Sequence, residues 1–110
     1  MVKMSVQEQF DTLVAKVPTE KAREIFKRIG QKDLHKWNSH SFQMMTVFSS
    51  LSYEEIAKDS YLRASFLTSK LPWLYYVNDP TFVELCKKFS EKDLEKLSSD
   101  DREIIKCIQA

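Results

Sequence analysis

Two cysteines (Cys86, Cys107), two histidines (His35, His40) and two carboxylate doublets (Glu54-Glu55, Asp100-Asp101) are the side chains best suited to catalysis or metal binding. Their spacing argues for something plainer. A nucleophile needs a placed base, yet both cysteines fall at inward positions of helix-periodic segments, and no glycine elbow presents a serine. His35 and His40 stand five apart across a polar break, which suits neither a metal-binding helix face nor a base with its orienter. Two cysteines and two histidines never approach a zinc spacing. Each carboxylate doublet lies in a predicted first helical turn, where the helix dipole favours anions. The expectation is a chain with no catalytic residue, no cofactor and no metal.

Composition narrows the field further. The chain has 110 residues, 43% of them hydrophobic, and a single glycine. That length predicts one domain over residues 1–110. Seven phenylalanines, four tyrosines and two tryptophans give the apolar mass that disordered chains lack. One glycine excludes glycine-rich phosphate loops and argues against a turn-rich β-sandwich or barrel. The net charge is +1, and each half of the chain is nearly balanced. A duplex-binding surface would need a basic excess, so nucleic acid is not the expected partner. Only a folded patch of Lys27, Arg28, Lys87 and Lys88 could supply one. Lys3, Glu8, Asp11 and Lys16 interrupt any secretory signal over residues 1–17. Tyr61 to Val77, the most apolar stretch, holds Arg63, Lys70 and Pro72 and is too short to span a bilayer. An intracellular protein, cytoplasmic or nuclear, with reduced cysteines and no membrane partner is expected.

Trp73, Tyr75 and Tyr76 form the most distinctive local cluster. Such residues enrich binding hot spots because they bury large area and keep a polar handle. They also stack on single-stranded bases and fill cores, so three uses stand open. Consecutive residues diverge on a helix and alternate on a strand. Tyr75 and Tyr76 should therefore be unequally buried, and at least one should show its ring edge to solvent. Met44-Met45 has the same ambiguity between core and adaptable groove.

The elements that would position these residues are helical. Ser5-Val-Gln-Glu8 is a capping box opening a helix over about 6–16, and Pro18 stops it. Thr19 caps a second helix with Ala22, Ile25, Phe26 and Ile29 on one stripe, ended by Gly30 at C′. A short turn over Asp33–Trp37 precedes a helix over Phe42–Leu51. Ser52-Tyr-Glu-Glu55 opens the next, weakened near Ser60. Leu71–Val77 reads as an apolar connector or short helix. Asp79-Pro80, Ser90 and Ser98 or Ser99 start the remaining helices. About 60–70% helix is expected, against a base rate of roughly one-third.

Residues 24–37 align without gaps on residues 84–97, with six of fourteen positions identical. Met44, Met45 and Phe48 continue the match onto Ile104, Ile105 and Ile108. A duplicated helical hairpin and a coincidence between two lysine-rich amphipathic segments both account for this echo. One pair of repeats is too few for a solenoid.

Residues 17–34, VPTEKAREIFKRIGQKDL, resemble the first half of an F-box. The apolar-Pro pair, the glutamate two residues on, the apolar pair Ile25-Phe26, Ile29 and the Asp33-Leu34 pair all stand at that motif's spacing. The resemblance implies a helical module that docks a Skp-type adaptor and recruits a cullin ubiquitin ligase. Pro18, Ile25, Phe26, Ile29 and Leu34 would be its contact or packing positions. Further on, His40 and Met44 stand where the family usually has an apolar residue and then tryptophan.

Together these readings predict an all-α fold: a single irregular bundle of five to seven helices. The expected function is a non-catalytic protein–protein interaction module, an adaptor, effector or regulatory domain, of which the F-box-like recruiter is one version. Its candidate contact residues are Trp73, Tyr75, Tyr76, Pro18, Ile25, Phe26 and Leu34. Two alternatives remain. One is a small nucleic-acid-binding module that joins the basic patch to Tyr75 or Tyr76. The other is a lipid- or small-ligand-binding bundle with a cavity lined by Met44, Met45, Phe48, Phe66 and Trp73.

Overall fold

In the computed structural model, which describes residues 3–110, 77% of the described residues are helical, above the expected share, and no strand occurs among them. Eight α-helices follow one another: α1 (Val6–Ala15), α2 (Glu20–Asp33), α3 (Ser39–Ser50), α4 (Tyr53–Lys58), α5 (Ser60–Thr68), α6 (Pro80–Cys86), α7 (Glu91–Glu95) and α8 (Ser99–Gln109). Two 3-10 segments, Leu34–Lys36 and Leu71–Tyr76, join α2 to α3 and α5 to α6. The all-α bundle is as expected, with more and shorter helices. The stretch after Ser52 divides because Asp59 leaves the helical region and caps a new helix, accepting from the Leu62 amide at 2.9 Å.

Helix starts follow the side chains that can satisfy free amides. Ser5 and Glu8 exchange bonds at 3.1 Å at the head of α1. Ser52 and Glu55 do the same for α4, and Ser90 and Asp93 for α7. Asn38 caps α3, so that helix begins three residues earlier than Phe42.

Gly30 departs from expectation. It does not end α2, which continues to Asp33, and it has no positive φ. A Cβ at this position would lie 2.6 Å from Cε1 of Phe10. Gly30 is there because α1 sets a phenylalanine ring against the α2 backbone.

One hydrophobic cluster runs through the molecule. Phe10, Phe26, Ile56, Phe66, Leu74, Leu94, Ile104 and Ile105 are all buried within it. The second 3-10 segment threads this cluster instead of crossing the surface, and Pro72, Trp73, Leu74 and Tyr76 are all buried.

The sequence echo has a structural counterpart at the same offset. Thr19 and Asp79 are both N-caps, as are Asn38 and Ser98. Phe26 and Cys86, Leu34 and Leu94, Met45 and Ile105, and Phe48 and Ile108 are buried pairwise. The helix lengths differ: α2 runs through Gly30, whereas Ser90 at the matching place caps α7.

Candidate functional site

The aromatic segment 71–76 turns its polar handles inward. Trp73 Nε1 donates to the Phe66 carbonyl at 2.8 Å, Tyr75 Oη to Leu13 at 2.9 Å, and Tyr76 Oη to Phe48 at 2.6 Å. Each acceptor is the third residue from the end of its helix, α5, α1 and α3 respectively, in the last turn where the regular ladder of bonds stops, although the Leu13 carbonyl also accepts from the Lys16 amide at 3.2 Å. Tyr76 Oη also lies 2.9 Å from the Leu51 carbonyl. Burial pushes both phenols well above their ordinary range, with the neighbouring Tyr76 adding to the shift at Tyr75 and Asp79 to that at Tyr76.

These positions leave few of the expected contact residues open to a partner. Trp73 and Tyr76 are core side chains, packed on Phe66 and Phe82. Tyr75 is half-buried, so the two tyrosines are unequally exposed as expected. Its ring meets Phe26 edge-on at 5.4 Å, and its hydroxyl is taken by α1. Ile25, Phe26 and Leu34 are buried as well, in packing roles. Pro18 alone of the expected contact residues is exposed. The reason is physical: a short connector following a two-helix hairpin passes three helix ends that need donors, and Trp and Tyr can supply them while burying their rings.

The basic residues of the nucleic-acid reading are partly engaged elsewhere. Arg28 pairs with Glu103 at 2.5 Å and Lys87 with Glu84 at 3.3 Å. Cys86 is a buried free thiol, pushed up to about 12 by burial. Cys107 is half-buried, and burial raises its thiol too. His35 and His40 are both exposed. Glu55 is committed to its capping box, whose Ser52 amide and hydroxyl hold its carboxyl below the usual range.

What the surface does offer is a groove of about 530 Å³ between α2, α3, α5, the second 3-10 segment and the head of α8. Ile29, Met44, Met45, Phe48, Leu71 and Ile104 form its apolar lining. Met44 and Leu71 are half-buried there. Part of the cavity expected for a small ligand is thus present: Met44, Met45 and Phe48 reach the groove, while Phe66 and Trp73 do not line it.

Its polar lining is rich in hydroxyls and carboxylates. Ser41, Ser65, Thr68, Ser69 and Ser98 supply hydroxyls. Asp33, Asp100 and Asp101 line it from α2 and α8, and His40 and Lys70 from α3 and the residue before the second 3-10 segment. Asp100 is held by Lys32 at 2.5 Å, and Asp33 lies 3.8 Å from Lys36. Asp101 makes no ion pair among the described residues. On α5, Tyr61 lies one helical turn before Ser65, in line with Ser65 and Thr68, and is 60% exposed. The sequence reading reached only Met44, Met45 and Phe48 of this groove because its lining comes from five separate elements. Only Met44-Met45 signalled it.

Comparison with protein-family models, with curated proteins and with solved structures found no match.

Proposed function

We propose that the chain is a non-catalytic protein-interaction module that works through the groove of Met44 and Leu71. The observation that carries this reading is the pairing of an apolar lining with three carboxylates, Asp33, Asp100 and Asp101. The partner segment this combination fits places an apolar side chain over Met44 and Leu71 and a lysine or arginine beside Asp33 and Asp101. The rim hydroxyls can bond the backbone of such a segment, and the methionine floor adapts to its side chain. Tyr61 extends the surface with an exposed aromatic of the kind that anchors interfaces.

The F-box-like version of this function rests on the resemblance of residues 17–34. With Ile25, Phe26 and Leu34 packed inside, an adaptor would have to reach Pro18 and the exposed residues around it. The charged groove supports a partner of different chemistry, so the general interaction module is the better-supported form.

Selection from a displayed random-peptide library tests the reading. Enriched peptides should pair an apolar residue with a basic one, and Asp101→Lys and Met44→Asp should each abolish their binding while the circular dichroism spectrum stays unchanged. Enrichment of acidic peptides, or binders indifferent to both substitutions, would overturn it.

A further inference from the structure

Helices α2 and α8 lie side by side with opposite chain directions, since Lys32 meets Asp100 and Arg28 meets Glu103. These pairs form two rungs of a charge ladder. One turn further along, the ladder changes character. A second groove, of about 340 Å³, opens there between Lys21 and Ile25 of α2 and Arg102, Lys106 and Cys107 of α8. Glu103 is the single carboxylate on its wall, and it is already bound to Arg28. Three cations, Lys21, Arg102 and Lys106, therefore line one groove where the two preceding rungs each have an acid. The carboxylate nearest to Lys106 is Glu91, 3.9 Å away and outside the groove.

Arg102 adds an observation of its own. One of its terminal nitrogens donates to the Leu97 carbonyl at 3.2 Å, which holds the guanidinium in place at the end of α7. Its Nε is shielded from solvent and has no hydrogen-bond partner among the described residues. That nitrogen is closed to a ligand, but the second terminal nitrogen, Nη1, is neither hydrogen-bonded nor shielded among the described residues. Charge-assisted bonds from a guanidinium to an oxyanion are the strong ones.

We propose that this groove is a binding site for a phosphate group, held by Arg102 as the oriented donor and by Lys21 and Lys106 as flanking charges. A doubly charged oxyanion matches three cations better than a single carboxylate does. The site is distinct from the groove of Met44, shares no residue with it, and stands or falls independently of the proposed partner.

The test is a titration with inorganic phosphate followed by two-dimensional amide NMR, at fixed pH and constant ionic strength so that screening does not change. Acetate at equal ionic strength is the control. The expected result is a saturable set of shifts at Lys21, Ile25, Ser99, Arg102 and Lys106 with phosphate and not with acetate. Lys106→Gln should weaken binding about tenfold, the loss expected when a hydrogen bond to a charged group is removed. Arg102→Gln should weaken it further. Lys21→Gln, at an exposed site, repeats the test should Arg102→Gln unfold the chain. Shifts spread evenly over Lys27, Lys87 and Lys88, equal shifts with acetate, or affinity unchanged in Lys106→Gln and Lys21→Gln would each overturn the proposal.

Discussion

Trp73 and Phe66 are joined twice: their rings stack at 5.9 Å with planes 23° apart, and the indole nitrogen of Trp73 donates to the Phe66 carbonyl at 2.8 Å. The apolar contact and the polar one serve the same end. The ring fills the core, and the nitrogen satisfies a carbonyl at the end of α5. Tyr75 and Tyr76 repeat the arrangement for α1 and α3. One short segment therefore closes three helices, and its rings are drawn inward by the bonds that their polar atoms make.

Tyr76→Phe isolates the polar half of that arrangement. The ring and its contacts with Phe66 and Phe82 stay, while the Phe48 and Leu51 carbonyls lose their shared donor. Leaving buried acceptors unpaired should cost about 1–3 kcal/mol. Urea denaturation measures it. Stability equal to that of the parent chain would mean that water reaches those carbonyls without the hydroxyl.

Gly30→Ala sets two effects against each other. Alanine is the better helix former by about 1 kcal/mol. Its Cβ, however, would meet Phe10 at 2.6 Å, and overpacking costs typically about 1–3 kcal/mol. Destabilisation should win, because Phe10 is fully buried and has no room to retreat. Repeating the substitution in a Phe10→Leu background should shrink the loss, since residues in contact couple. An equal loss in both backgrounds would remove Phe10 from the explanation.

Much of this fold was legible because its signals are local. Ser5, Thr19, Ser52, Asp79 and Ser90 cap helices where side-chain chemistry says they should. Phe26 and Ile105 are buried where a period of 3.6 places them. What was not legible depends on residues far apart in the chain. Gly30 has the spacing of a helix terminator, and only Phe10, twenty positions away, explains its real role. Trp73 and Tyr76 have the composition of a contact site, and only the carbonyls of Phe66 and Phe48 show why they face inward. The groove of Met44 assembles from segments that carry no common motif.

Core and surface substitutions on α2 should separate sharply. Phe26 is fully buried and packs on Phe10 and Tyr75. Phe26→Ala should cost about 3–5 kcal/mol, a large share of the roughly 5–15 kcal/mol that holds such a domain together. Arg28→Gln, two positions on, removes an exposed ion pair with Glu103. Exposed pairs contribute little, so its denaturation midpoint should match the parent within error. A large loss at Arg28 would show that the ladder between α2 and α8 acts as a cooperative network.

The pH profile of stability should have two limbs with opposite causes. Glu8, Glu55 and Asp93 are held below their ordinary values of 4.5, 4.5 and 3.8, first by backbone amides and then by serine hydroxyls. The folded chain keeps these groups charged where the unfolded chain takes up protons. Their contribution is present above those ordinary values and is lost as pH falls through the lower, folded ones. Cys86 works in the other direction. Its thiol rises from 9.0 to about 12 through burial, so the folded chain holds a proton that the unfolded chain releases. That contribution is complete below pH 9.0 and disappears as pH climbs towards about 12. The urea midpoint should therefore form a plateau, falling below about pH 4.5 and again above about pH 9. Glu55→Gln removes the carboxylate that the Ser52 amide and hydroxyl hold low and should soften the acid limb alone, whereas Ser52→Ala keeps the amide bond and should soften it less. Cys86→Ala lowers the plateau by removing a buried side chain, yet it should flatten the alkaline limb, leaving the fall due to Cys107, Tyr75 and Tyr76. An alkaline limb identical with and without Cys86 would show that Cys107 and the tyrosines carry all of it.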